Sequence, residues 1–153
     1  MRAIIQRVKN STVTVDGEIK GSIGKGYNVL LGVMNGDGEA QAQLLASKIA
    51  KLRVFEDENG KMNKSVLDIG GGILVISQFT LCADIKKGNR PSFTDSAPPA
   101  EADSLYRYFC NCLRENGVAQ VETGVFAADM LVDIANDGPV TIMMDTDIWD
   151  KKA

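Results

Sequence analysis

The sequence contains no histidine. That absence excludes a Ser-His-Asp triad, a Cys-His pair, a histidine general base and every histidine-ligated metal site. Proton transfers must therefore run through carboxylates, lysine, tyrosine, the backbone or the substrate. Cysteine is scarce. Cys82, Cys110 and Cys112 make an odd number with no C-x-x-C pair. This argues against a disulfide framework or a zinc knuckle and fits a reducing compartment. Buried apolar thiols are the expectation. No apolar run approaches the roughly 18 residues that a membrane span requires. The opening residues, Met1 to Arg7, have no signal-peptide pattern. The expectation is a soluble cytoplasmic protein with no membrane partner. An excess of positive charge is also missing: 17 basic against 20 acidic residues leave −3. Proteins that grip nucleic acid over a broad surface are basic, so any such contact here must be local.

What is present is an ordinary globular composition over 153 residues, 44% hydrophobic and 24% charged. That is the size of a single domain, 1–153, able to build its core without staples. Repeats, linkers and low-complexity stretches are lacking. Arg2 to Val8 reads as a first strand, and the β-branched run Thr12-Val13-Thr14-Val15 leads into Asp16-Gly17, a hairpin turn signal. The return strand spans Glu18 to Ile23, and Tyr27 to Val33 reads as a buried strand. Leu45, Ile49 and Leu52 recur at helical spacing, so Glu39 to Leu52 is an amphipathic helix with Asp37 as a candidate N-cap. Arg53-Val54-Phe55 is a short strand, and Ile73 to Leu81 a long one. Pro98-Pro99 opens a second helix with an apolar stripe of Leu105, Phe109 and Cys112, and Gly117 suits its C′ position. Gln120 to Thr123, Met130 to Ala135 and Val140 to Met144 complete the strands. About seven or eight strands and two helices predict an α+β fold, a mostly antiparallel, barrel-like sheet with the helices packed outside. Gly70-Gly71-Gly72 is not a phosphate loop, because neither a G-K-[ST] nor a helix follows it.

Three segments carry chemistry-bearing residues. Ser77-Gln78-Phe79-Thr80 is where an apolar strand turns polar. Its hydroxyls and amide either bond the backbone or face a pocket, and no histidine is available to activate either hydroxyl. Asn136-Asp137-Gly138-Pro139 reads as a hairpin turn, although Pro139 removes a ladder donor where the return strand would begin. Gly138-Pro139 is also compatible with a cis bond. Lys86-Lys87-Gly88-Asn89-Arg90 is either a solvated loop or a phosphate clamp.

Ser77-Gln78-Phe79-Thr80-Leu81, Gly88-Asn89-Arg90-Pro91-Ser92-Phe93 and Asn136-Asp137-Gly138-Pro139-Val140-Thr141, in this order after Met1 to Val8, resemble the D-aminoacyl-tRNA deacylase family along the whole chain. Cys82 stands where the family commonly has an aromatic residue, and Ala127 where it often has glycine. The resemblance implies a hydrolase that cleaves the ester of D-aminoacyl-tRNA, and of glycyl-tRNA, while rejecting L-aminoacyl-tRNA. It implies a homodimer with two active sites at the interface and the aminoacylated tRNA 3′ end as partner. Ser77, Gln78, Phe79 and Thr80 of one subunit would form the catalytic segment. Gly138 and Pro139 of the other, joined by a cis bond and held by Arg7, would read chirality. Phe126 and Met130 would line the adenosine pocket. The terminal ribose 2′-OH would assist the reaction, or Thr80 would act as a covalent nucleophile. No cofactor or metal is implied. The alternative is a non-catalytic tRNA- or nucleic-acid-binding module built on Lys86, Lys87 and Arg90.

Overall fold

The computed structural model describes residues 1–149; residues 150–153, the end of the expected domain, lie outside the described residues. The elements are β1 (Arg2–Val15), β2 (Glu18–Ile23), β3 (Gly26–Gly32), α1 (Glu39–Lys51), β4 (Phe55–Glu56), β5 (Met62–Lys64), β6 (Gly72–Ser77), α2 (Pro99–Glu115), β7 (Gln120–Thr123) and β8 (Leu131–Asp145). Single 3-10 turns follow β6 at Phe79–Cys82 and β8 at Thr146–Ile148. The α+β class is as expected, with two helices on a strand-rich core.

Segments that local signals divide are joined in two places. Arg2–Val8 and Thr12–Val15 form one strand, β1, of 14 residues. Met130–Ala135 and Val140–Met144 fall largely within the single strand β8, so Asp137-Gly138-Pro139 is not a hairpin turn but an irregularity inside a strand. The reason is β1 itself. It pairs antiparallel with β8 nearly from end to end, with register shifts between Gln6 and Val8 and between Val8 and Ser11. Long cross-strand pairing outweighs the local turn preference of Asp-Gly, and the Asn136 side chain bridges the break by donating to the carbonyls of Arg7 and Val140, both at 3.0 Å. Along its other edge β1 takes β3 against Arg2–Val8 and β2 against Ser11–Val15. Asp16 and Gly17, at φ 50° and 80°, make the two-residue turn into β2.

The sheet runs β2-β1-β3-β6-β7, with β3-β6 and β6-β7 parallel. It curls until β2 approaches β7, where the Gln120 amide donates to the Ser22 carbonyl at 3.2 Å. The glycines Gly26 and Gly72 begin the β3-β6 pair, and their role is close approach. A Cβ on Gly26 would lie 1.8 Å from the Gly72 carbonyl oxygen.

Apolar residues alternate along β6, Ile73 and Val75 to one face and Leu74 and Ile76 to the other, so both faces of the sheet carry an apolar core. One, with Ala3, Ile5, Tyr27, Val29, Leu31, Ile73 and Val75, lies beneath the helices. The other, with Val8, Val13, Ile23, Leu74 and Ile76, fills the inside of the curl. Helix α1 covers the first core with Ala42, Leu45, Ala46, Ile49 and Ala50. Its cap is Gly38, whose N–H donates to the Gln41 side chain at 2.8 Å. Asp37, the expected cap, instead accepts the Met34 N–H at 2.7 Å. Helix α2 starts at Pro99 and buries Ala102, Tyr106, Phe109, Cys110, Cys112 and Leu113. Leu105 packs against the core half-buried, and Tyr106 beside it is buried with its hydroxyl donating to the Val75 carbonyl of β6 at 3.0 Å. Among the described residues no helix is long and apolar enough to cross a membrane.

Candidate active site

The expected long strand through Leu81 stops at Ser77, and the polar segment follows as a tight turn. Gln78 extends the ladder one step by donating its N–H to the Leu31 carbonyl at 2.7 Å. Phe79–Cys82 then closes into a 3-10 turn packed over the end of β3. Gly32 makes the room: a Cβ there would meet the Leu81 Cβ at 2.9 Å. Because the strand has ended, Ser77, Gln78, Phe79 and Thr80 do not alternate between two faces. All four line one cavity of about 1030 Å³.

That cavity sits beyond the C-terminal end of β6. Its walls come from the β6 end, from the 93–99 segment leading into α2, from Ala102, and from the 126–130 loop before β8. Phe126 and Met130 line it too. Sequence reasoning missed Asn35, Phe93, Thr94, Ser96 and Asp129. Phe93 could have been found from its place in the matched Gly88–Phe93 motif. Its ring meets Phe79 edge-on at 5.0 Å between centroids.

The other expected site residues lie elsewhere in this chain. Arg7, Gly138 and Pro139 are not among the residues lining the cavity. Arg7 is buried, with its Nε donating to the Asp137 carbonyl at 3.1 Å and an Nη donating to the Val54 carbonyl at 2.6 Å. The Asp137 carboxylate lies 3.5 Å from the same guanidinium. A buried cation needs such partners, and these tie it to the Asp137–Gly138 backbone. Gly138 has φ 128°, and the Gly138–Pro139 peptide bond is cis.

The cavity is poor in ionisable groups. Among the described residues, Asp129 is the one ionisable side chain lining it. The Thr80 hydroxyl oxygen receives the Gln78 amide at 3.1 Å, and among the described residues no side chain is placed to take its proton. Backbone donors are available instead. The N–H groups of Phe79 and Thr80, at the start of the 3-10 turn, have no backbone acceptor among the described residues. The thiols offer no nucleophile. Burial raises Cys82 and Cys112 above the ordinary thiol range and pushes Cys110 up to about 12. Burial likewise holds the Tyr106 hydroxyl protonated. The arrangement can position a substrate and stabilise a developing oxyanion, but it supplies no strong base.

A family model for D-Tyr-tRNA(Tyr) deacylase matches residues 4–145. A D-aminoacyl-tRNA deacylase of Ruegeria pomeroyi is 61% identical over 145 residues, covering 95% of this chain and 99% of that protein. One of Anaeromyxobacter dehalogenans is 56% identical, covering 95% and 97%. The solved structure of a c-Myc DNA unwinding element binding protein superposes with a TM-score of 0.90 at 44% identity, covering 95% of this chain and 98% of that one.

Proposed function

The chain belongs to the D-Tyr-tRNA(Tyr) deacylase family, and from that premise we propose that it is a D-aminoacyl-tRNA deacylase. Water adds to the ester carbonyl carbon. The bond to the terminal ribose oxygen breaks, that oxygen takes a proton, and the D-amino acid leaves the tRNA. The observation that carries this reading is the convergence of Ser77–Thr80, the motif shared with the family, on one cavity with free backbone donors.

An aminoacyl ester is already activated, so the pocket needs no strong base. The N–H groups of Phe79 and Thr80 receive the developing oxyanion, and one such donor is typically worth about 10²–10³ in rate. The substrate's terminal 2′-OH assists the attack. Phe126 stacks on the terminal adenine, as aromatic side chains do on unpaired bases, and Met130 lines the same wall. The working unit is a homodimer. Gly138 and Pro139 of a second copy, positioned by Arg7, complete each pocket and clash with an L side chain while a D side chain points away. Their position outside their own chain's cavity supports this reading. So do the exposed apolar side chains of β8, Leu131 at 64% and Met143 at 78% exposure. Glycine has no side chain to reject, so glycyl-tRNA is a substrate too. Residues 1–153 are read as one domain working on tRNA in the cytoplasm; the family match over residues 4–145 supports the single domain.

A deacylation assay on D-Tyr-tRNA, L-Tyr-tRNA and Gly-tRNA tests the reading. Fast release from the D and glycyl substrates with L-Tyr-tRNA near background is expected. Background rates on all three would overturn it. In that case the second reading, a non-catalytic nucleic-acid-binding module, stands; the likeness to the unwinding element binding protein favours it among the alternatives.

A further inference from the structure

We propose that the loop bearing Lys86, Lys87 and Arg90 is a phosphate-binding arm that grips the sugar-phosphate strand of the tRNA leading into the cavity. This rests on the deacylase reading and adds to it a second, separate contact with the substrate. All three side chains are exposed, and among the described residues none is in an ion pair. No acidic residue occurs from Ile85 to Thr94. The nearest carboxylate before them, Asp84, accepts the Lys86 backbone N–H at 2.9 Å. A chain of net charge −3 thus concentrates unpaired cations on one loop.

The loop is also placed and held. Asp84 and Ser92 exchange backbone hydrogen bonds of 2.8 and 2.9 Å, which close its base. Phe93, directly after that base, stacks edge-on against Phe79 at 5.0 Å. Phe93, Thr94 and Ser96 then line the cavity. The arm therefore stands beside the pocket mouth. At its tip Gly88 has φ 64°, and a Cβ there would meet nothing within 4 Å. The tip is open for a strand to lie against the backbone. Arginine and lysine side chains in this setting neutralise phosphates, and each neutralised single-strand phosphate contributes about 0.7 to the salt slope of binding.

The test compares wild type with the Lys86→Ala/Lys87→Ala/Arg90→Ala variant on two substrates. One is D-Tyr-tRNA; the other is the D-tyrosyl ester of adenosine, which carries the reacting bond and terminal nucleoside but no phosphate. Filter binding of uncharged tRNA is followed in parallel across salt. The expected result is a KM for D-Tyr-tRNA raised about tenfold or more at low salt. The salt slope should flatten by about 2, with unchanged turnover of the adenosine ester. A Lys25→Ala/Lys51→Ala/Lys61→Ala variant, which removes the same charge from exposed sites elsewhere, should stay within about twofold of wild type. Unchanged KM and slope in the loop variant, or an equal effect in the control variant, would overturn the arm. If wild type cleaves neither substrate, the deacylase reading fails. The binding slopes then decide the arm alone: a difference between wild type and loop variant keeps it, and identical slopes reject it.

Discussion

Thr80 has a hydroxyl in the cavity, a donor 3.1 Å away in Gln78, and no acceptor for its proton among the described residues. A threonine in that setting is a poor nucleophile. Thr80→Ala should therefore reduce kcat on D-Tyr-tRNA by about tenfold at most, whereas loss of a covalent nucleophile would cost about 10⁶. Single-turnover kinetics with a search for an acyl-enzyme separates the two. Ala127 presents a different case. It sits at φ 63° in the cavity wall, the conformation that disfavours a Cβ. Ala127→Gly is expected to raise stability by about 1 kcal/mol. A chain of this size should show it as a rise of about 2–4 °C in Tm. Calorimetry of the two proteins checks this.

Among the elements, α2 and β6 together position the site. The helix enters at the cavity through Pro99 and Ala102, and Tyr106 anchors it to the middle of β6 through the Val75 carbonyl at 3.0 Å. Tyr106→Phe removes that buried bond and leaves the ring in place. The expected loss is about 1 kcal/mol, read as a lower midpoint in urea with an unchanged slope. Phe109, fully buried one turn further on, contributes packing instead, and truncating such a side chain typically costs about 3–5 kcal/mol. The element boundaries that sequence missed have physical causes at this scale. β6 ends at Ser77 because Gly32 lets the following turn fold over β3. β8 runs through Gly138 and Pro139 because β1 pairs with it on both sides of the break.

For the molecule as a whole, the separation between Gly138-Pro139 and the cavity of the same chain is the main consequence. In the homodimer proposed above, a second copy would have to bring that pair to the cavity. Met143, 78% exposed on β8, offers a direct probe. Met143→Glu should raise the dimer dissociation constant by at least about a hundredfold, since an unpaired charge in an apolar interface costs several kcal/mol. Deacylation should fall with it while the far-UV circular dichroism is retained. Sedimentation equilibrium across protein concentration gives the dissociation constant. A variant that dissociates and keeps full activity would remove the need for a second copy.

Composition and motif order were enough to read the class of fold, both helices, the Asp16-Gly17 turn, the inert thiols and the family. Each of these follows from local chemistry: periodicity within a helix, a turn that requires positive φ, or residue types present or absent. Of the residues gathered around the cavity, Ser77, Gln78, Phe79, Thr80, Phe126 and Met130 were legible, because they stand in short segments that carry their own chemistry. The rest was decided by tertiary contacts. The register shifts of β1 against β8 turn Val13 to the face opposite Ala3 and Ile5, and no local pattern reports a shift imposed by a partner strand. The close approach of Gly26 to Gly72 explains glycines that spacing alone left without a role. Phe93, Thr94, Ser96 and Asp129 joined the cavity from segments far apart in the chain. Their meeting depends on the curl of the sheet, a long-range property that no window of sequence contains.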